Sequence, residues 1–182
     1  MSFTLTPSLD LIIGPMRGGK TTELLRMLNT FSELGLKTLY VNSNLDTRSD
    51  ANFSTHNPSL KSIGKIHAIK TSNLCNVSFE EYKVIGIDEA QFFPALKNYV
   101  TANVNKGKKI IVAGLNGDYQ RNPFGEINEL IPYCDTIKFL RPFCKLCTNK
   151  ITPASFTKRI SPETNTISVD AEYLPVCRSC YA

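Results

Sequence analysis

The chain has 182 residues, 42% of them hydrophobic, and its 21 Lys and Arg against 16 Asp and Glu leave a net charge of +5. This length suits one principal domain with a small appendage and excludes a division into two equal halves. The modest basic excess suits a protein that binds small anionic molecules and is weaker than the usual nucleic-acid-binding footprint. There is no secretory signal pattern and no run of about 18 uncharged apolar residues. We therefore expect a soluble cytoplasmic protein with neither membrane nor nucleic acid as a partner.

The first predicted elements are a strand and a phosphate-binding turn. The apolar run Leu9–Ile13 predicts a strand, and residues 14–21 follow it with the spacing G-x-x-x-x-G-K-T. The glycines let backbone N–H groups approach phosphate oxygens, Lys20 adds a positive charge, and Thr21 supplies a hydroxyl for magnesium. A glycine-rich turn with an incidental lysine is the alternative. The predicted nucleotide-binding residues of this turn are Gly14, Pro15, Met16, Arg17, Gly18, Gly19, Lys20 and Thr21.

The next segments alternate between helix and strand. Apolar residues at helical spacing predict a helix over Thr22–Leu34, and Lys37–Asn42 is predicted to form a strand. Residues 43–65 are mostly polar and predict a long loop, of a kind that is usually functional or disordered. Arg48 in this loop has the chemistry to reach a transferring phosphate, although a solvated pair with Asp46 is the simpler interpretation.

Two acidic residues follow a later predicted strand. Ile66–Ile69 and Lys83–Asp88 are predicted strands, with a short acidic helix around Ser78–Glu81 between them. Asp88, at the end of the second strand, is the natural partner of a magnesium ion bound to phosphates. Glu89 is either a general base for an attacking hydroxyl or a surface acid at a strand end.

The remaining core is predicted from one helix and two strands. A helix from about Pro94 to Asn105 leads into the apolar run Lys108–Gly114, which is typical of a strand buried in a parallel sheet. Ile137–Leu140 is predicted as the last core strand. Residues 114–125 contain two aromatic side chains that either line a ligand pocket or pack in the core. Together these elements predict a doubly wound α/β domain of the P-loop class over residues 1–141.

Four of the six cysteines occur as two Cys-x2-Cys pairs near the end of the chain. Thiols at this spacing on a tight turn point at one centre, so the pairs predict tetrahedral ligation of a structural zinc ion rather than disulfides. Four unpaired thiols packed as small hydrophobic groups are the alternative. We predict a small zinc-binding domain over residues 142–182, with the ligands Cys144, Cys147, Cys177 and Cys180.

Ordered segments over almost the whole chain resemble the type II thymidine kinases. They are the phosphate-binding turn, Asp46-Thr47-Arg48, Ser54-Thr55-His56, residues 87–93, 114–117 and 120–125, Thr157-Lys158-Arg159 and the two cysteine pairs. The resemblance implies a P-loop (RecA-like) homotetramer that transfers the γ-phosphate of ATP to the 5′-hydroxyl of thymidine with magnesium. It also implies feedback inhibition by thymidine triphosphate. A zinc-anchored lasso, which is the loop of residues 148–176 between the cysteine pairs, is expected to close over the nucleoside.

The same resemblance implies roles for individual residues. Glu89 is expected to be the catalytic base, with Arg48 near the transferring phosphate. Asp46, Asp88 and Gln91 are expected to join the phosphate-binding turn in holding ATP and magnesium. The residues expected to line the thymidine pocket are Met16, Phe92, Leu115, Tyr119, Phe124, Val169 and Tyr173.

The chain departs from the family pattern at several positions. Arg17-Gly18 stands where the family often has Phe-Ser, Asn116 replaces a common Asp, and the lasso lacks the usual Gly-Gly before Tyr173. These differences bear on the contacts that read the base, whereas the phosphate chemistry should survive them. Two other interpretations are a P-loop ATPase whose zinc ribbon binds nucleic acid and an inactive nucleotide-binding regulator. The presence of Lys20 and Glu89 argues against the second.

Overall fold

The computed structural model describes residues 4–46, 66–162 and 171–182. Within these ranges six strands form one sheet, in which every neighbouring pair runs parallel. In chain order the strands are β1 (Ser8–Ile13), β2 (Thr38–Ser43), β3 (His67–Thr71), β4 (Val84–Ile87), β5 (Lys109–Gly114) and β6 (Thr136–Phe139). Their spatial order is β3-β2-β4-β5-β1-β6, and the predicted mostly parallel α/β fold is confirmed.

Two helices cover opposite faces of the sheet. Alternate residues of β1 belong to two different apolar clusters, as expected for a strand that is buried on both sides. On one side lies α1 (Lys20–Glu33), whose Leu24, Leu25 and Leu28 are fully buried. On the other side lies α2 (Leu96–Asn105), whose buried apolar residues Leu96 and Val100 belong to the larger cluster.

Helix α1 approaches strand β4 closely at Gly86. A methyl group at this position would come within 2.6 Å of Leu28 Cδ1 and 2.9 Å of Leu24 Cδ1. A larger residue would therefore push the helix away from the sheet. Because α1 follows the phosphate-binding turn directly, this contact sets the position of the turn relative to the carboxyl end of β4.

Most predicted elements lie near their predicted positions. The first helix begins two residues earlier than predicted, at Lys20, because the phosphate-binding turn leads straight into it. The predicted acidic helix around Ser78–Glu81 is wrong, because that segment forms an irregular turn. The nearby helical turn is a short 3-10 helix, Leu74–Asn76, which the side chain of Asn73 caps by accepting from the Cys75 N–H.

The prediction that Ile137–Leu140 is a core strand needs correction. The corresponding strand β6 lies at the edge of the sheet, and within the described residues it pairs with β1 alone. Its four residues are all exposed, with Ile137 and Phe139 at 45% and 44% of their full accessibility. An apolar sequence indicates a strand, but it does not reveal that the covering helices end before the edge of the sheet.

The segment after β6 forms a small separate unit. It contains the antiparallel strands β7 (Phe156–Arg159) and β8 (Tyr173–Val176), followed by the short helix α3 (Arg178–Tyr181). Its own apolar cluster includes the four predicted zinc ligands. The boundary between residues 141 and 142 stays a prediction, although this separate cluster agrees with it.

Candidate functional site

The carboxyl ends of the parallel strands bring the predicted site residues to one edge of the sheet. The phosphate-binding turn follows β1, Asp46 follows β2, Asp88 and Glu89 follow β4, and Leu115 follows β5. These segments are distant in the sequence. They meet because strands that run in the same direction end at the same edge, which is where this class of fold binds its ligands.

The backbone of the phosphate-binding turn requires small residues. Gly14 has φ 143°, and a methyl group on it would lie 2.1 Å from the carbonyl oxygen of Leu140. Gly19 has φ 80° and is the N-cap of α1. Arg17 adopts φ 59°, a left-handed conformation that costs a residue with a side chain roughly 1 kcal/mol. The turn is therefore held in a strained shape immediately before a helix N-terminus, an arrangement that suits phosphate groups.

The lysine of the turn folds back onto the turn itself. Lys20 is only 8% exposed, and its Nζ donates to the carbonyl oxygen of Pro15 at 2.8 Å. The ammonium group is thus held beside the backbone that is predicted to bind phosphate.

Asp88 links the phosphate-binding turn to the end of β4. One carboxylate oxygen accepts from the Tyr40 hydroxyl at 2.8 Å, the other accepts from the Glu89 N–H at 3.0 Å, and the Thr21 hydroxyl lies near this carboxylate. Burial and the charge of Glu89 raise the pKa of Asp88 to about 6, although these hydrogen bonds oppose the shift. A buried acid therefore lies against the first turn of α1.

Glu89 is held in an unusual backbone conformation. Its φ and ψ are 48° and 41°, in the left-handed region, and it is 8% exposed. Gln91 donates through its side-chain amide to Glu89 Oε2 at 2.6 Å and accepts the N–H of Leu115 at 2.9 Å. Left-handed backbone at a residue other than glycine costs on the order of 1 kcal/mol and often marks a functional site. The amide of Gln91 is thus engaged with the predicted base, and its predicted contact with the nucleotide stays a prediction.

Asp46 is the third buried acid at this edge. It is 4% exposed, and its Oδ2 accepts from Asn42 Nδ2 at 3.0 Å. Its carbonyl oxygen accepts from Lys70 Nζ at 3.2 Å. Arg48, the predicted partner of the transferring phosphate, lies outside the described residues, as do Thr47 and the Ser54-Thr55-His56 segment.

Four of the residues predicted to line the thymidine pocket lie in two aromatic pairs. Phe92 and Phe124 meet edge to face, with ring centroids 5.5 Å apart. Tyr119 and Tyr173 have centroids 6.3 Å apart, and the guanidinium of Arg159 lies 4.2 Å and 5.0 Å from these two centroids.

Two further residues of this predicted pocket are placed through their backbone N–H groups. The backbone N–H of Met16 donates to Thr157 Oγ1 at 3.1 Å, and this hydrogen bond joins the phosphate-binding turn to β7. The backbone N–H of Leu115 donates to the side-chain oxygen of Gln91. Val169 lies outside the described residues.

The oxygen atoms that gather beside the turn fit a magnesium ion bound to phosphates. Magnesium prefers a few carboxylate or hydroxyl oxygens and keeps waters in its other positions. Thr21 and Asp88 supply such oxygens, and the Thr21 hydroxyl is near enough to Asp88 to lower its pKa. The two residues would hold the ion between the turn and β4.

The four cysteines fit a zinc ion. Their sulfur atoms all lie within 4.8 Å of one another, and Cys147 Sγ is 3.7 Å from the Sγ atoms of both Cys177 and Cys180. Tetrahedral zinc with Zn–S bonds of about 2.3 Å places its sulfurs about 3.8 Å apart. Burial works to raise the pKa of Cys144, but hydrogen bonds from Cys177, Leu146 and Cys147 outweigh it and lower the pKa to about 6. Hydrogen bonds with Cys177 and Cys147 raise the pKa of Cys180 to about 12, so zinc, whose ligands are thiolates, would release the protons that remain on the cluster.

Two side chains of the site were not predicted. Tyr40 and Asn42 lie two positions apart on β2, are fully buried and hold Asp88 and Asp46 respectively. A signal was present, because polar groups at alternate positions of a buried strand share one face and require partners. The sequence does not identify those partners.

The fold and the site together define a P-loop α/β class of protein that carries a four-cysteine unit. Among solved structures, the flagellar accessory protein FlaH from Methanocaldococcus jannaschii has this fold, with a TM-score of 0.54 and 15% identity over 94% of this chain and 80% of that chain. A more specific match comes from the sequence: residues 7–181 match the thymidine kinase family model. The chain belongs to the thymidine kinase family.

Viral relatives agree with this placement. The thymidine kinase of Amsacta moorei entomopoxvirus is 39% identical over 181 residues, covering 96% of this chain and 97% of the relative. That of Myxoma virus strain Uriarra is 40% identical over 177 residues, with 95% of each chain covered. That of Vaccinia virus strain Ankara is 37% identical, with 95% and 96% covered. Among the described residues, no helix combines the length and apolar character needed to cross a membrane.

Proposed function

We propose that the protein transfers the γ-phosphate of ATP to the 5′-hydroxyl of thymidine and forms thymidine monophosphate and ADP. The observation that carries the proposal is that the phosphate-binding turn after β1 and the buried acids Asp88 and Glu89 after β4 lie at the same edge of the sheet. The Thr21 hydroxyl is near enough to Asp88 to lower its pKa, so the turn and the second acid, Glu89, lie close to each other.

In this proposal the residues have the roles that the family resemblance implies. Backbone N–H groups of the turn and the ammonium of Lys20 hold the phosphates, and Thr21 and Asp88 hold magnesium, which when bound neutralises phosphate charge. Glu89 accepts the proton of the 5′-hydroxyl of thymidine. The 5′-oxygen bonds to the γ-phosphorus as the bond between the γ-phosphorus and the bridging β-phosphate oxygen breaks, and ADP leaves. Arg48, which lies outside the described residues, is proposed to contact the transferring phosphate.

The nucleoside is held between the sheet edge and the lasso. In this proposal Met16, Phe92, Leu115 and Phe124 line the base pocket from the main unit, together with Tyr119. Val169 and Tyr173 close it from the lasso. The guanidinium of Arg159 between the two tyrosine rings supports this arrangement, because cation–π contacts on both rings favour their shared orientation. The backbone contact of Met16 with Thr157 supports a direct connection between this pocket and the phosphate-binding turn.

Zinc at the four cysteines, in this proposal, anchors the lasso as a domain of residues 142–182. The unit has only a small apolar cluster of its own, and structural zinc contributes folding free energy to such units. Anchored at both ends, the lasso closes over the nucleoside and excludes water from the reaction.

We further propose a cytoplasmic homotetramer that acts on free nucleosides, not nucleic acid, and is inhibited by thymidine triphosphate. The exposed β6 edge, with its half-exposed Ile137 and Phe139, supports self-association, because apolar sheet edges readily pair with another chain. Thymidine triphosphate unites the two groups that the site is proposed to bind, a thymine nucleoside and a triphosphate.

The decisive experiment incubates the protein with labelled ATP, magnesium and each of the four deoxynucleosides. A labelled monophosphate formed from thymidine is the expected product. Release of phosphate that requires DNA or RNA, without any labelled nucleotide product, would instead identify an ATPase.

A further inference from the structure

Tyr40 lies in the middle of β2 with its side chain on the α1 side of the sheet. It is fully buried in the same apolar cluster as Leu24, Leu25 and Leu28. Its register partner on β4 is Gly86, the residue against which Leu24 and Leu28 of α1 pack. Asp88 follows two positions after Gly86, so the tyrosine ring extends toward the strand end where this acid lies.

The Tyr40 hydroxyl and the Glu89 N–H hold different oxygens of the Asp88 carboxylate. The hydroxyl donates to Oδ2 at 2.8 Å, and the N–H donates to Oδ1 at 3.0 Å. Rotation of the carboxylate about its last side-chain bond would weaken both hydrogen bonds. The orientation of the acid toward Thr21 is therefore determined from two sides.

The contact is costly to break. Asp88 is 1% exposed and Tyr40 is 0% exposed, so no water is available to replace either partner in place. A hydrogen bond to a charged acceptor is stronger than one between neutral groups, and it strengthens further in a buried environment.

We propose that Tyr40 is a positioning residue for metal binding, which keeps Asp88 in the orientation that receives the magnesium ion of bound ATP. This inference rests on the proposed function in one respect, namely that Asp88 binds the magnesium ion. Outer-shell groups that orient metal-binding acids typically contribute roughly 10-fold to 100-fold to metal affinity.

The test replaces Tyr40 with Phe, which removes only the hydroxyl and keeps the packed ring. The matched control is Tyr99→Phe, which also removes one hydrogen-bonded tyrosine hydroxyl. The Tyr99 hydroxyl donates to the carbonyl oxygen of Val77, in a contact between α2 and a turn that contains none of the predicted metal-binding residues. Binding of Mn²⁺ in the presence of ADP is measured by electron paramagnetic resonance, and the Mg²⁺ dependence of turnover is measured at saturating substrates.

Tyr40→Phe is expected to weaken Mn²⁺ binding by roughly 10-fold and to raise the half-saturating Mg²⁺ concentration in parallel. Tyr99→Phe is expected to leave both values within about 2-fold of those of the unchanged protein, although it too lowers the thermal stability. Equal Mn²⁺ affinities in the two variants would overturn the inference.

A second comparison shows whether the effect passes through Asp88. In an Asp88→Ala background, Tyr40→Phe is expected to change Mn²⁺ affinity by less than about 2-fold, because the group that it orients is gone. A full additional loss in that background would show that Tyr40 acts elsewhere. A thymidine assay on the unchanged protein separates the two ideas, because failure to form thymidine monophosphate contradicts the proposed function, whereas the Mn²⁺ measurements test the inference directly.

Discussion

Gln91 holds Glu89 through a hydrogen bond of 2.6 Å between its side-chain amide and the Glu89 carboxylate. The oxygen of the same amide accepts the backbone N–H of Leu115. The predicted base is thus connected to the segment that follows β5, on which other predicted pocket residues lie. A methyl group on Gly114 would come within 2.5 Å of the Gln91 oxygen, so the chain also keeps space for this amide.

Replacing Gln91 with Ala is expected to lower kcat by roughly 10-fold or more, with a smaller change in the KM for ATP. The physical reason is that a base must be held within hydrogen-bonding reach of the proton that it removes. Steady-state kinetics check this, with Asn98→Ala on the exposed surface of α2 as the control. A change confined to KM would indicate that Gln91 binds substrate instead of orienting Glu89.

Replacing Glu89 with Gln is expected to preserve the binding of ATP and thymidine and to lower kcat by roughly 10²- to 10⁴-fold, because the amide cannot accept the proton. Calorimetry measures the two affinities and a labelled-ATP assay measures turnover. Near-normal turnover would show that this carboxylate is not the base.

Removing zinc, or replacing Cys177 with Ser, is expected to raise the KM for thymidine before ATP binding is lost. The four cysteines lie in the unit that carries the lasso, whereas the phosphate-binding turn belongs to the large sheet. Metal analysis gives the zinc content, and kinetics with each substrate varied separately give the two KM values. An unchanged thymidine KM in zinc-free protein would contradict the anchoring role.

Replacing Glu23 with Gln is expected to destabilise the protein at neutral pH but not in strong acid. Hydrogen bonds from Arg26, aided by Lys138 and opposed by burial, lower the pKa of Glu23 to about 2. A lowered carboxyl pKa adds stability above the ordinary value of 4.5, and this stability is lost as the pH falls toward 2. Solvent screening limits the effect to about 1 kcal/mol.

Urea unfolding of the unchanged protein and of Glu23→Gln, at several values between pH 7 and pH 3, checks this dependence. The difference in unfolding free energy between the two proteins is expected to shrink steadily as the pH falls. A difference that stays constant with pH would mean that packing, not charge, is responsible.

Introducing lysine at both Ile137 and Phe139 is expected to dissociate the proposed tetramer into smaller species. Two like charges on the exposed edge strand would repel a second copy and remove apolar contact area. Sedimentation velocity measures the assembly, with Ile151→Lys as the control, because Ile151 is 84% exposed in the other unit of the chain. An unchanged assembly would place the contacts on another surface.

Local sequence patterns were enough to predict the strands, both large helices, the phosphate-binding turn and the two cysteine pairs. Apolar runs and helical spacing depend on neighbours in the sequence, and so do the glycine spacing of residues 14–21 and the two Cys-x2-Cys pairs. The acidic helix around Ser78–Glu81 was wrong because a few helix-favouring residues do not provide enough hydrogen bonds for a stable helix.

The sequence alone determined a parallel α/β fold of the P-loop class, and it predicted a nucleotide site, a tetrathiolate site and acids at a strand end. Only the tertiary structure decided that Tyr40 holds Asp88, that Gln91 holds Glu89 and that β6 is an exposed edge. The physical reason is that buried polar groups must find partners, and those partners come from segments that lie far apart in the chain. Which hydroxyl reaches which carboxylate depends on strand order and register, neither of which a local pattern contains.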